Sequence, residues 1–248
     1  MSQLHRIFPL DDNFAARGKT VYKEHPNLIQ KMNLLPEKNV QWESQVVKQY
    51  KWRGRHQLFF SPFINSKAVK AYHAACHLLR HGLLTPMPLL AAEKRTWGFI
   101  RENIFVTELI DEHITVLDYL KLMPDGQEEV EEVIRLLADY VLRMHDSGFL
   151  HRDLNSTNFL LTGSPGNHKL HLVDLNRARR VEGISFKARA HELSRLKLKK
   201  WRSLFFRHYC HRRFDHEVML EIAGTARSRR KVRRKYLKKF YTVTDNGS

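Results

Sequence analysis

The 248-residue sequence holds only two cysteines, Cys76 and Cys210. Two thiols support neither a disulfide framework nor a thiolate metal site. Glycine (11) and proline (8) are scarce, which excludes collagen-like and low-complexity chains. No apolar run approaches the ~18 residues of a membrane-spanning helix. The opening stretch MSQLHRIFPLDDNF lacks the apolar core of a secretory signal. A soluble cytoplasmic protein is the expectation. Acidic residues are also few: 26 against 43 Lys and Arg, a formal net charge of +17. The excess is uneven. Between Lys187 and Phe240 there are 19 basic residues and four acidic ones, which is +15 of the total. Such a field calls for an anionic partner: nucleic acid, anionic lipid or an acidic substrate.

What is present is a hydrophobic content of 42%, enough for a substantial core in one large domain or two lobes. KTVYKE and LIQKMNLL read as strands around a turn at His25-Pro26-Asn27, and SQVVKQYKW, with Val46 and Val47, reads as a further strand. SKAVKAYHAACHLLR, residues 66–80, places Val69, Tyr72, Cys76 and Leu79 at helical spacing, with Ser66 as N-cap and Gly82 past the end. Two strands follow, around a turn near Arg95 to Gly98. EEVEEVIRLLADYVLRMHDSG then carries Val130, Val133, Ile134, Leu137, Val141 and Met144 on one face. Its first turn is acidic and Gly148 lies beyond its last turn. HKLHLVDLNRARR reads as a strand ending at Asp174, and basic helices follow from Phe186. This order predicts an α+β chain, with a β-rich lobe over residues 1–110, an α-rich lobe over 111–248 and a cleft between the two.

The chemistry concentrates in GFLHRDLNSTNFLLTG, residues 148–163. Asp153 and Asn158 stand five apart between apolar flanks, and Asp174 follows sixteen residues later. Two hard oxygen ligands and a free carboxylate suit Mg²⁺ and phosphate chemistry. Phosphoryl transfer needs clamped phosphates, a charge-neutralising metal and a positioned hydroxyl. Asp153 can accept the hydroxyl proton, and Asn158 and Asp174 can hold Mg²⁺. Lys48 can pair with the α- and β-phosphates; Lys31 is a competing strand lysine, one strand early.

HRDLNSTN fits the protein-kinase catalytic-loop pattern His-Arg-Asp-Leu-x-x-x-Asn in full. LVDLNRAR resembles the metal-binding segment, with Asp-Leu-Asn in place of Asp-Phe-Gly, and VVKQY stands where Val-Ala-Ile-Lys would. One atypical branch is closer. VVKQYKWRGRHQLF, SKAVKAYHAACHLLRHGLLTPMPL, HRDLNSTNFLL, LVDLNRARR and ELSRLK, in that order, resemble the lipopolysaccharide core kinases, which phosphorylate Kdo or heptose sugars. The resemblance spans roughly residues 17 to 205. It implies a bilobal protein-kinase-like fold, ATP and Mg²⁺ as cofactors, and a lipid A-linked core sugar as acceptor. It makes Asp153 the base, Asn158 and Asp174 the metal ligands, and Lys48 the phosphate clamp with Glu102 as its carboxylate partner. Glu108 falls at the hinge, where backbone groups contact adenine.

Several features depart from the kinase pattern. No G-x-G-x-x-G precedes Lys48; Gly18 is the nearby glycine. No glutamate lies in the 66–80 helix, and no Ala-Pro-Glu segment follows Asp174, which argues against a protein acceptor. Asn176 in place of glycine predicts a stiffer metal loop. His151 and Arg152 read as structural, and Asn155 and Ser156 as a solvated turn. His73 and His77 read as a polar helix face rather than a metal pair. In RSRRKVRRKYLKKFY, Val232, Tyr236 and Phe240 form one narrow apolar stripe on a cationic helix. That helix is either a solvated charged face, a segment drawn peripherally to the anionic inner-membrane surface, or a nucleic-acid contact. A pseudokinase, a nucleic-acid-binding module of kinase fold and a kinase for a small molecule or protein remain as alternatives.

Overall fold

The computed structural model describes residues 4–8, 40–42, 45–50, 64–97, 99–123, 128–211 and 213–244. The turn at 25–27 with its flanking strands, Gly18, Lys31, the stretch 51–63 and Gly98 lie outside the described residues. The chain groups into two compact units. One comprises Met1–Ile114, Phe159–Gly163 and Lys169–Arg179, and the other Thr115–Asn158, Ser164–His168 and Arg180–Ser248. The grouping differs from a single break near residue 110, because the segment carrying Asp174 belongs with the first unit.

The first unit is built on a five-stranded sheet. Its strands are β1 (Leu4–Phe8), β2 (Val40–Trp42), β3 (Gln45–Gln49), β4 (Pro88–Thr96) and β5 (Phe99–Glu108), ordered β1-β4-β5-β3-β2. Each neighbouring pair runs antiparallel. The strand expected at Val46-Val47 is β3, and the hairpin expected around 95–98 is β4-β5, with Trp97 at positive φ in its turn. Alternation sorts β3 by face. Val47 is buried with Leu90, Ile104 and Val106. Lys48 therefore points to the other face, in register with Phe105.

Helix α1 (Lys67–Arg80) packs against β4 and β5. Ala68, Ala71 and Ala75 are fully buried and let the helix approach closely. Ser66 Oγ accepts the Val69 amide, as expected of an N-cap, and Asn103 Oδ1 accepts that of Ala68. Two orphan donors of the first turn are thus satisfied. At the other end the Leu83 amide reaches Leu78 O and the Gly82 amide reaches Leu79 O. This closing motif needs Gly82 at φ +66°. His73 is exposed as expected, but His77 is buried, because its position turns it inward with Ala74 and Leu78. β8 (Phe159–Thr162) and β9 (Lys169–Leu172) form an antiparallel hairpin. Its end is anchored: the Leu172 amide donates to Leu84 O and Thr85 Oγ1 to Leu172 O. Asp174 follows from that fixed point.

The second unit is mainly helical: α2 (Val116–Leu122), α3 (Glu128–Asp146), α4 (Phe186–Leu193), α5 (Arg202–Cys210) and α6 (His216–Thr244). β6 (Ile114–Thr115), β7 (Phe149–Leu150) and β10 (Arg179–Arg180) are two-residue strands. All six apolar residues predicted for the α3 face are fully buried, and α3 packs on α5, whose Phe205, Phe206 and Tyr209 are buried too. Each such side chain contributes about 1.5–3 kcal/mol. Gly148 ends α3 at φ +73°, and a Cβ there would lie 2.4 Å from Val181 O. Only glycine fits the position. Among the described residues, no helix is long and apolar enough to cross a membrane.

Candidate active site

In the first unit, β3 delivers Lys48 and the end of β9 delivers Asp174. Lys48 Nζ lies 2.5 Å from Asp174 Oδ1 and sits over the Tyr50 ring at 5.6 Å. Asp174 occupies the left-handed region, φ 65°. Asp visits that region more readily than most residues, against a general cost of about 1–2 kcal/mol. Asn176 Nδ2 donates to the same carboxylate oxygen at 2.8 Å. The asparagine in place of glycine is thus a clamp on Asp174. Burial, reinforced by the Asp174 charge, pushes the Tyr50 hydroxyl well above the usual phenol range. The Lys48 and Asp174 side chains are 27% and 33% exposed. An ion pair that wet stabilises a fold by about 1 kcal/mol or less. It is a weak strut, but it is accessible to a ligand.

In the second unit, the catalytic-loop sequence is pinned by three fully buried apolar residues: Phe149 and Leu154 here and, where the chain passes into the first unit, Phe159. Arg152, Asp153 and Asn158 therefore reach the surface at fixed places, while His151 and Ser156 stay buried. Asn158 Nδ2 donates to Asp153 O at 3.0 Å, which orients the amide and leaves Oδ1 for a cation. The Asp153 amide donates to His151 Nδ1 at 3.3 Å. Asp153 Oδ1 stands 3.7 Å from Arg195, with both side chains more than a third exposed. An amide oxygen such as that of Asn158, and a carboxylate such as that of Asp174, are each hard donors of the kind Mg²⁺ takes alongside water and phosphate oxygens.

The loop is held from below by a buried relay. Glu192, from α4, accepts the amides of His151 and Arg152. Those amides turn toward it because Arg152 adopts φ 64°. His145 Nε2 lies 2.9 Å from Glu192 Oε2, and His145 Nδ1 lies 2.6 Å from the Tyr209 hydroxyl. Arg189 Nη1 donates to that hydroxyl oxygen and Arg189 Nη2 to Asp146. Burial holds His145 below the usual imidazole range, outweighing the attraction of Glu192. Burial alone would raise Glu192. Its bonds from His145 and the Arg152 amide outweigh that, and Glu192 stays below the usual carboxylate range. One proton arrangement satisfies every group: Tyr209 donates to a neutral His145, which donates from Nε2 to ionised Glu192.

The structure joins Lys48 with Asp174, and Asp153 with Asn158. It does not bring Glu102 to Lys48. The β3–β5 register sets Glu102 on the face of Ile104 and Val106, opposite Lys48, and the Lys48 ammonium pairs with Asp174 instead. Glu108 ends β5, where its amide is committed to Met87 O. Ser156, expected in a solvated turn, is buried, and its Oγ accepts the Lys197 amide at 3.1 Å. Glu192 is the residue that sequence reasoning passed over. Its signal is slight: one acid, in ELSRLK, among the basic residues that follow Phe186.

A family model described as the lipopolysaccharide kinase (Kdo/WaaP) family matches residues 38–214. A 3-deoxy-D-manno-octulosonic acid kinase of Haemophilus influenzae (strain 86-028NP) is 27% identical over 141 residues, 56% of this chain and 55% of that protein. Another of the same name, from Photobacterium damsela subsp. piscicida, is 27% identical over 130 residues, 51% of this chain and 50% of that protein. The chain thus spans about half the length of these relatives. A solved structure titled "WaaP in complex with acyl carrier protein" superposes with a TM-score of 0.60 at 18% identity, covering 94% of this chain and 99% of the other. That likeness shows the fold: α+β and kinase-like. With the family model spanning well over half of its residues, and Lys48, Asp153, Asn158 and Asp174 all within the match, the chain belongs to the lipopolysaccharide kinase (Kdo/WaaP) family.

Proposed function

We propose that the protein transfers the γ-phosphoryl group of ATP to a hydroxyl of a lipopolysaccharide inner-core sugar, with Kdo favoured over heptose. The observation that carries this reading is the Lys48–Asp174 pair clamped by Asn176. It is a cation and a carboxylate held together at a wet surface, where they contribute little stability. The two curated relatives, both named for Kdo phosphorylation, favour that sugar.

Lys48 binds the α- and β-phosphates of ATP. Asp174 and Asn158 each offer an oxygen to Mg²⁺, which neutralises phosphate charge when bound. Asp153 orients the acceptor hydroxyl and takes its proton, a role that typically contributes ~10²–10⁴-fold. Glu108 lies where the backbone meets adenine; since its amide is occupied, its neighbours make that contact. The basic residues beyond Arg233 draw the protein to the anionic face of the inner membrane, where a lipid A-linked acceptor resides. Sedimentation with anionic but not neutral vesicles tests this, and equal recovery with both rejects it.

The reaction is tested by mass spectrometry of the acceptor. Kdo-lipid A or deacylated core oligosaccharide is incubated with Mg-ATP and either the wild type or Asp153→Ala. A phosphate on the sugar from the wild type alone is expected, and fragmentation reports whether Kdo or heptose carries it. Absence of phosphate on every core sugar, with ATP bound, overturns the reading.

A further inference from the structure

Beside Asp153, within the second unit, lies a cavity of about 270 Å³ lined by the uncharged Leu154, Asn155 and Ser194 and by five cationic side chains. Arg195 and Lys197 enter it from the segment after α4, and Arg227, Arg230 and Lys231 from α6. The last three fall at i, i+3 and i+4 and so share one helix face. Five positive side chains thus surround one carboxylate.

A solvated charged face does not account for this arrangement. Arg230 is half-buried and donates from both Nη atoms to Ser194, at 3.1 Å to Oγ and 2.8 Å to the carbonyl. It is aimed inward and held. Arg202, outside the cavity lining, feels two of the same charges: burial, then the positive charges of Arg227 and Arg230, lower its affinity for its proton. Its Nη2 is buried without a hydrogen-bond partner. A fold keeps like charges packed this way where an anion offsets them. A larger, more open cavity of about 690 Å³ shares Arg195 and Arg230, so the two guanidinium groups face both spaces.

We propose that the cavity formed by Arg195, Lys197, Arg227, Arg230 and Lys231 is the acceptor's anion subsite, binding a carboxylate or phosphate next to the hydroxyl that Asp153 activates. The proposal rests on the kinase reading and deepens it. The anion is either the carboxylate of a sugar acid or a phosphate elsewhere on the acceptor. Arg195 touches both the cavity and Asp153, so acceptor binding and release of Asp153 from its ion pair are one event. The near part of α6 belongs to the active site, in addition to any contact its far part makes with a membrane.

The test uses the full chain and the double variant Arg227→Ala/Lys231→Ala. Arg207→Ala is the control, removing a charge from an exposed position on α5. Inorganic phosphate and free Kdo, titrated against arginine Nε–Hε signals, report binding without turnover. Both probes should shift signals in the wild type and in Arg207→Ala, and the double variant should need ~10-fold or more higher concentration. In kinetics the double variant should raise the acceptor KM by a similar factor and leave the ATP KM unchanged. Carboxyl-reduced and dephosphorylated acceptors separate the two anion sources: the one that loses its sensitivity to the double variant lacks the group the cavity binds. Unchanged titrations, or acceptor and ATP KM rising in parallel, overturn the proposal. Titration lost in the double variant of a protein that phosphorylates no sugar would overturn the kinase reading and uphold the anion site.

Discussion

Two partnered carboxylates, one ion-paired and one hydrogen-bonded to a neutral imidazole, show how differently the same group can be used in the two units. Asp174 pairs with Lys48 at a surface about a third exposed. Glu192 pairs with His145 where side-chain exposure is 4% and 0%. Asp174 has partners that a phosphate or a cation can displace. Both Glu192 oxygens are engaged, by two amides and an imidazole. The exposed pair is suited to exchanging partners during a reaction, and the buried one to holding a loop still. Pairing alone therefore does not mark a catalytic carboxylate; its access to solvent does.

The sharpest way to break this comparison is to remove one partner from each. Lys48→Ala should cut phosphotransfer by ~10²-fold or more, the usual loss when transition-state charge stabilisation is removed. It should change unfolding free energy by about 1 kcal/mol at most. Glu192→Ala should cost about 3–5 kcal/mol of stability, because it strands a histidine and two amides in the interior. It should lower activity as well, through the loosened loop. Parallel denaturant titrations and rate measurements on the two variants check the contrast. Equal stability losses would erase it.

A smaller effect is expected from acid. His145 takes up its proton less readily in the folded protein than at its ordinary value of 6.5, so the unfolded chain binds more protons below that pH. Glu192 is likewise depressed from 4.5, so its contribution is present above that value and lost as pH falls through the folded one. Both signs agree: stability should be level above about pH 6.5 and decline on acidification, first through His145 and then through Glu192. His145→Gln, which keeps a donor toward Glu192, should flatten the first part of the decline in melting temperature. An unchanged slope would show that another group titrates there.

The elements legible in the sequence were those with strong periodicity. The apolar stripe of α3 and the alternation around Val47 each have one physical solution. Asp153, Asn158 and Asp174 stand out in the sequence because their spacing suits phosphate and metal chemistry, and Lys48 stands out by its place in the order. That Lys48 pairs with Asp174 and not with Glu102 is not legible there. Strand register decides which face Glu102 presents, and register is a property of pairing rather than of one strand. Ser156 reads as solvated because small hydroxyls in turns usually are; its burial depends on Lys197, far along the chain. Glu192 was hidden for a similar reason. An acid among nineteen bases reads as a minor counter-charge until its neighbours in space are known.

The anchoring of the catalytic loop by Glu192 also has a consequence in time. The amides of His151 and Arg152 find their acceptor 41 and 40 residues downstream. Arg230, which holds Ser194, emerges 36 residues after that serine. Chains grow from the N-terminus at about 5–20 residues per second. For several seconds of synthesis, the loop that carries Asp153 exists without the parts that shape it. A nascent chain that ends before α4 carries the complete HRDLNSTN sequence but not the carboxylate that fixes it, and ordering of this loop waits for the C-terminal third to be made.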